Sequence, residues 1–129
     1  MSIFKNIFGT SESETPKINN INWMQLTDLS QLNEIQEISF QKPVIIFKHS
    51  TTCSISRMAL KNFEREYELQ NKVEAYFLDL LNFRAISNEI AAKFNVVHQS
   101  PQLLLIKNGE SVYDVSHDGI DAEKLKKLI

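Results

Sequence analysis

Cys53 is the chain's single cysteine, and it lies in the segment Phe47-Lys-His-Ser-Thr-Thr-Cys-Ser-Ile-Ser-Arg57. A sulfur nucleophile acts as the thiolate, not the thiol. The segment follows the apolar run Val44-Ile-Ile-Phe47 and opens a stretch with helical spacing, so it places the thiol at the mouth of a helix. There the unpaired N–H groups of the first turn and the helix dipole favour a negative sulfur. Ser56 stands three residues after Cys53, giving C-x-x-S, the spacing of a C-x-x-C redox pair with oxygen in place of the second sulfur. Such a site can attack a mixed disulfide but cannot resolve the product within its own chain. Ser56 is the candidate hydrogen-bond donor to the sulfur, and Thr52 is the candidate helix cap. Lys48, His49 and Arg57 are candidates for stabilising the thiolate. The plainer account of these residues is a small inert cysteine beside a polar first-turn serine.

A second feature is Ser100-Pro101, ahead of the apolar run Gln102-Leu-Leu-Leu-Ile106. A cis X-Pro bond there would bend the backbone beside the Cys53 turn and leave the Ser100 main chain open to pair with a substrate. The alternative is a trans proline that simply begins a strand. Thr52, Ser54, Ser100 and Pro101 are thus the candidate substrate-binding positions. His98 and His117 are isolated in the sequence and lack metal-ligand spacing. Asp79 reads as a turn former.

The elements that must position these residues follow from periodicity. Residues 1–20 read as a flexible lead, polar over 10–20 with one proline; the apolar residues at 3, 4, 7 and 8 are broken by Lys5 and Asn6, too interrupted for an export-signal core. The folded domain is expected over 21–129. A strand over 21–26 precedes a helix capped by Asp28, with Leu29, Leu32, Ile35, Ile38 and Phe40 inward and Lys42-Pro43 ending it. Val44–Phe47 reads as a central strand buried on both faces. In the helix after Cys53, Ile55, Ala59, Phe63 and Tyr67, with Met58 beside them, predict one buried stripe. A strand over 73–80 leads to a helix over 84–95 with Ile86, Ile90, Ala91 and Phe94 inward. The strand over 102–106 turns at Lys107-Asn-Gly-Glu110 into a strand over 111–116. Asp121 caps a last helix with Leu125, Leu128 and Ile129 inward. The order β-α-β-α-β-α-β-β-α implies an α/β fold, a mixed central sheet with helices on both faces.

The 129 residues suffice for one domain with its own core. With 14 basic against 16 acidic residues, a net charge of −2, there is no footprint for nucleic acid, and interspersed Lys and Glu make no basic stripe for a membrane. One thiol cannot form an internal disulfide, which points to a reducing, cytoplasmic setting.

The Cys-x-x-Ser at a strand-to-helix turn, the proline before the fourth strand and the element order resemble the thioredoxin fold. More closely, Phe47-Lys-His-Ser-Thr-Thr-Cys-Ser-Ile-Ser-Arg-Met-Ala59 resembles the monothiol bacilliredoxins (the YtxJ-like family), and the likeness continues through Trp23, the strand 73–80, Ser100-Pro101-Gln102 and the Lys107-Asn-Gly turn. The resemblance implies a cytoplasmic thiol-disulfide oxidoreductase of bacillithiol redox balance that removes bacillithiol from S-bacillithiolated proteins. It implies Cys53 as nucleophile, Pro101 as the substrate-side cis-proline and bacillithiol as co-substrate, with no resident cofactor. Its partners would be S-thiolated client proteins, a low-molecular-weight thiol and a recycling redoxin or reductase. One position departs: the family typically has Thr-Cys-Pro-Ile-Ser, and here Ser54 replaces the Pro. That substitution bears on redox poise and on partner choice.

Rival chemistries fit less well. A peroxiredoxin pattern, Pro-x-x-x-Thr-x-x-Cys, would need Pro where the chain has Ile46, and it meets Ser50 in place of Thr. A Cys-x5-Arg phosphatase or arsenate-reductase loop fails at Ala59. A non-enzymatic redox sensor capped on Cys53 would need the same reactive thiol and is the alternative from a different class. An iron–sulfur cluster shared between two chains through Cys53 is a third.

Overall fold

The computed structural model describes residues 21–129; positions 1–20, including the expected flexible lead, lie outside the described residues. The elements are β1 (Met24–Gln25), α1 (Ser30–Ile38), β2 (Val44–His49), α2 (Ser54–Glu66), β3 (Glu74–Asp79), α3 (Arg84–Phe94), β4 (Gln102–Lys107), β5 (Glu110–Ser116) and α4 (Ala122–Lys126), with a 3-10 turn at His117–Gly119 before α4. One five-stranded sheet runs in the order β1-β3-β2-β4-β5. The strands β1, β3 and β2 are parallel, β4 is antiparallel to β2, and β5 is antiparallel to β4. The mixed α/β architecture predicted from the order of elements is the one observed.

β2 is buried along its whole length because it lies between β3 and β4 and is covered on both faces. Alternation divides its residues. Ile45 and Phe47 enter a core with Ala59 and Phe63 of α2 and Leu125 of α4. Val44 and Ile46 enter a second core with Leu32 and Ile35 of α1 and Ile86 and Ile90 of α3. The helices therefore pair across the sheet, α2 with α4 on one face and α1 with α3 on the other. Cys53 emerges at the C-terminal end of β2.

Local chemistry sets the boundaries. Asp121 is the N-cap of α4 and accepts the Glu123 N–H at 2.8 Å, as expected; the N-cap position of α1 is Leu29, and Asp28, one residue earlier, accepts the Ser30 N–H at 2.8 Å from outside that position. The β4–β5 turn has positive φ at Asn108 (53°) and Gly109 (82°), the backbone of a tight hairpin. Ser39 docks this turn on the end of α1, its carbonyl accepting from Asn108 N–H at 2.9 Å and its hydroxyl from Gly109 N–H at 2.8 Å.

Some expected core residues are outside. Ile55 (58% exposed) and Met58 (66%) are at the surface, and the buried face of α2 is Ser56, Ala59 and Phe63, with Tyr67 buried just past its end. A step of four residues overshoots a full turn by roughly 40°, so a stripe at strict intervals of four rotates off the core at its ends. Phe40 lies beyond the end of α1 and is exposed, its ring against Gly109 at the hairpin. Leu128 and Ile129 are also exposed, because α4 ends at Lys126. Among the described residues no helix is long and apolar enough to cross a membrane.

Candidate active site

Cys53 is the N-cap of α2, with extended backbone (φ −99°, ψ 122°). Its N–H donates to Ser50 O at 3.2 Å, and its C=O accepts the first helical bond, from Arg57 N–H at 3.0 Å. No side chain caps this helix, so the expected Thr52 cap is not made; Thr52 is exposed one residue too early. An N-cap side chain is the one that faces the N–H groups of the first turn. Cys53 is half-buried at this N-cap position, and its side chain makes no cap hydrogen bond to the first turn of α2. Ser54 is the first helical residue and is exposed, as is Ile55 after it.

Ser56 is fully buried, and its hydroxyl is committed elsewhere than expected. It accepts the Ser50 N–H at 3.0 Å and bonds His49 Nδ1 at 2.8 Å. No hydrogen bond joins it to the Cys53 sulfur. The serine in the C-x-x-S pair therefore buttresses the 50–53 loop from beneath. His49 is buried, with its ring 5.4 Å from that of Phe77. Burial lowers its pKa below 6.5, and Arg57 adds to this; Asp79 and Glu64 oppose. His49 is accordingly neutral at pH 7 and reaches the loop through Ser56, bringing no positive charge to the sulfur. Arg57 is exposed and donates to Thr51 O at 3.1 Å, tying the loop to the first turn of α2. Ser56→Ala should leave the Ser50 N–H and His49 Nδ1 without their partner. It should cost about 1–3 kcal/mol in urea denaturation, with a smaller proportional effect on Cys53 reactivity.

Lys48 does not face Cys53. Its side chain shares the α1–α3 face with Val44 and Ile46, whereas α2 covers the opposite face. It is fully buried, and its Nζ donates to His98 Nδ1 at 2.8 Å; Ser87 Oγ lies 3.3 Å from the same nitrogen. His98, isolated in sequence, is thus paired in space. Burial pushes Lys48 from 10.5 down to about 8, which leaves it mostly protonated at neutral pH. Burial, Lys48 and Arg84 all lower His98.

The Ser100–Pro101 peptide is cis, and Pro101 is buried. Gln102 pairs with Lys48 in the β2–β4 ladder, so the chain ahead of it leaves the sheet beside His49 and Ser50, just before Cys53. Ser100 makes no main-chain hydrogen bond among the described residues, and its Oγ is buried without a partner. The neighbouring bonds come from Gln102, a residue to which the sequence reading assigned no role at the site. Its Nε2 donates to Val97 O at 2.9 Å, and its Oε1 accepts from Gln99 N–H at 3.4 Å. A polar residue heading an otherwise apolar strand was the available signal.

Both perturbed histidines affect stability in the same direction. Each has a folded pKa below the ordinary 6.5, so the unfolded chain binds more protons as pH falls. Their contribution is intact above about pH 6.5 and is lost as pH falls through the lowered folded values. Urea denaturation at pH 7.5, 6.5 and 5.5 should show stability falling at the acid end. His98→Leu should flatten part of that slope.

Comparison with known proteins gives the family and the fold. The family model for the monothiol bacilliredoxin BrxC matches residues 24–125. Among solved structures, a proposed oxidoreductase with a thioredoxin fold is 33% identical, with a TM-score of 0.70, covering 81% of this chain and 90% of its own. Malassezia sympodialis thioredoxin (Mala s 13) is 20% identical, with a TM-score of 0.64 and coverage of 87% and 91%. Trypanosoma brucei brucei thioredoxin is 19% identical, with a TM-score of 0.64 and coverage of 83% and 90%. The last two show the shared fold. With the family match spanning most of the chain and its single cysteine at the N-cap position of α2 after the central strand, the protein belongs to the monothiol bacilliredoxin family, a thiol-redox family of thioredoxin-like fold.

Proposed function

We propose that the protein is a cytoplasmic monothiol oxidoreductase that removes bacillithiol from S-bacillithiolated proteins through Cys53. The observation that carries this reading is the pairing of a half-buried N-cap thiol with a neighbouring loop whose Ser100 main chain is unpaired. The Cys53 thiolate attacks the bacillithiol sulfur of the mixed disulfide. That S–S bond breaks, a Cys53–bacillithiol disulfide forms, and the client leaves as a thiolate that takes a proton from solvent. A second bacillithiol, as thiolate, then attacks the Cys53-bound bacillithiol sulfur, releasing bacillithiol disulfide and free Cys53. Each step exchanges one disulfide for another, so a separate reductase must reduce the bacillithiol disulfide.

The surrounding residues suit a protein substrate. The main chain of Ser100 is available to pair with an extended client strand. Exposed Ile55 and Met58, on the first turns of α2, offer apolar contact. Ser54 occupies the first helical position, where proline is well tolerated; unlike proline it keeps an N–H, one more donor near the sulfur.

The test is turnover. A bacillithiolated client is mixed with catalytic amounts of the protein and excess bacillithiol, and the products are followed by mass spectrometry. Many clients released per chain, through a bacillithiol adduct on Cys53, is the expected result. Release of at most one client per chain would make the protein a sensor, and an unmodified Cys53 would end the proposal.

A further inference from the structure

Lys48 is an anomaly on energetic grounds. It is a lysine with 0% exposure on a central strand, and one of its three ammonium donors finds a partner among the described residues. Burying an ammonium with so little compensation destabilises a fold, and apolar replacements at such positions are often neutral or stabilising. Packing therefore does not account for the residue.

Its partner suggests what does. Lys48 Nζ can only donate, and Ser87 Oγ approaches the same His98 Nδ1, so Nδ1 must be the unprotonated, accepting nitrogen of a neutral ring. His98 lies in the segment between α3 and β4. Gln102, opposite Lys48 in the ladder and on the same sheet face, grips that segment from its other end through Val97 O and Gln99 N–H. The two buried polar side chains on paired strands thus hold residues 97–99, immediately before Ser100 and Pro101.

We propose that Lys48, His98 and Gln102 form a clamp that holds the 97–101 segment where its main chain can pair with a client beside Cys53. Lys48 is then a positioning residue for client binding and not a stabiliser of the thiolate. This rests on the reading of Ser100 as a client-pairing residue given above, whereas the clamp itself can be tested without any activity.

The experiment compares the full chain with Lys48→Met and His98→Leu. Lys48→Met keeps the buried stem and removes the charge; it should raise the thermal midpoint by about 5 °C, the opposite of what a structural lysine would do. In both variants the Gln99 and Gln102 amides should exchange hydrogen at least tenfold faster than in the parent, while those of β2 and β3 stay protected. KM for the bacillithiolated client should rise roughly tenfold with kcat changed less than threefold. The rate and pH profile of Cys53 alkylation by iodoacetamide, which needs no client groove, should be unchanged. The double variant should add little to either single one. Unchanged amide exchange in the exposed-site variant His98→Leu overturns the clamp, whether or not Lys48→Met folds. Faster exchange with an unchanged KM leaves the clamp but overturns its link to the client. A shifted alkylation profile in Lys48→Met would return Lys48 to the thiolate. Absence of exchange activity in the parent protein would count against the proposed function and leave the amide result to decide the clamp.

Discussion

Cys53→Ser should lower turnover of a bacillithiolated client by roughly a thousandfold or more, to the uncatalysed background, without unfolding the protein. The chain holds no second cysteine, so no neighbouring thiol can take over the attack. A serine hydroxyl at the same place stays protonated at neutral pH and forms no stable sulfur-exchange product. The structural side of the result is as specific as the chemical one. Cys53 is the N-cap of α2 and makes no side-chain cap bond. Serine is among the preferred N-cap residues, so the variant should keep its thermal midpoint or gain up to about 1 kcal/mol. The paired measurements are thiol release from the client and urea denaturation. Retained turnover would remove Cys53 from the mechanism, and a large loss of stability would mean that the cysteine is a packing residue.

Phe47→Ala should be the most destabilising single change near the site, at about 3–5 kcal/mol. The Phe47 ring is fully buried at the middle of the sheet, with ring centroids 5.8 Å from Phe63, 5.9 Å from Trp23 and 6.4 Å from Phe77, the last nearly parallel at 6°. These partners come from α2, from the chain entering β1 and from β3, so removing the ring opens a cavity at the junction of three elements. A domain of this size has roughly 5–15 kcal/mol of total stability, so the loss is at least about a fifth of it. Phe47 also lies two residues before His49, which bonds the Ser56 hydroxyl beneath the Cys53 loop, so the cavity should loosen that support as well. Phe47→Leu, which keeps part of the volume, should cost distinctly less. Chemical denaturation of the pair checks both values, and a cost below about 1.5 kcal/mol for the alanine variant would mean that the neighbours collapse into the space.

The order of elements was legible because each depends on near neighbours in sequence. Val44–Phe47 is an unbroken β-branched and aromatic run, and β2 is the strand buried between two others. Asp28 and Asp121 stand where helices need acceptors, and both accept the N–H two residues on. Asn108-Gly109 supplies the two positive φ values of the hairpin. Strict four-residue spacing misled at Ile55 because a regular helix rotates such a series off its core face.

For the site, the sequence by itself determined that one thiol starts a helix after a buried strand, since composition and local pattern decide both the sulfur and its place. It could not tell which way Lys48 and Ser56 would turn. Alternation along β2 says that Lys48 and His49 point to opposite faces; which face α2 then covers is decided by how the chain crosses the sheet. The partners of Ser56, His98 and Gln102 likewise depend on strand order and register, which long-range packing sets. Tertiary structure therefore left Cys53 where the sequence placed it. It moved Ser56 from the sulfur to a support beneath the loop, and it carried Lys48 through the sheet to the segment that leads to Ser100.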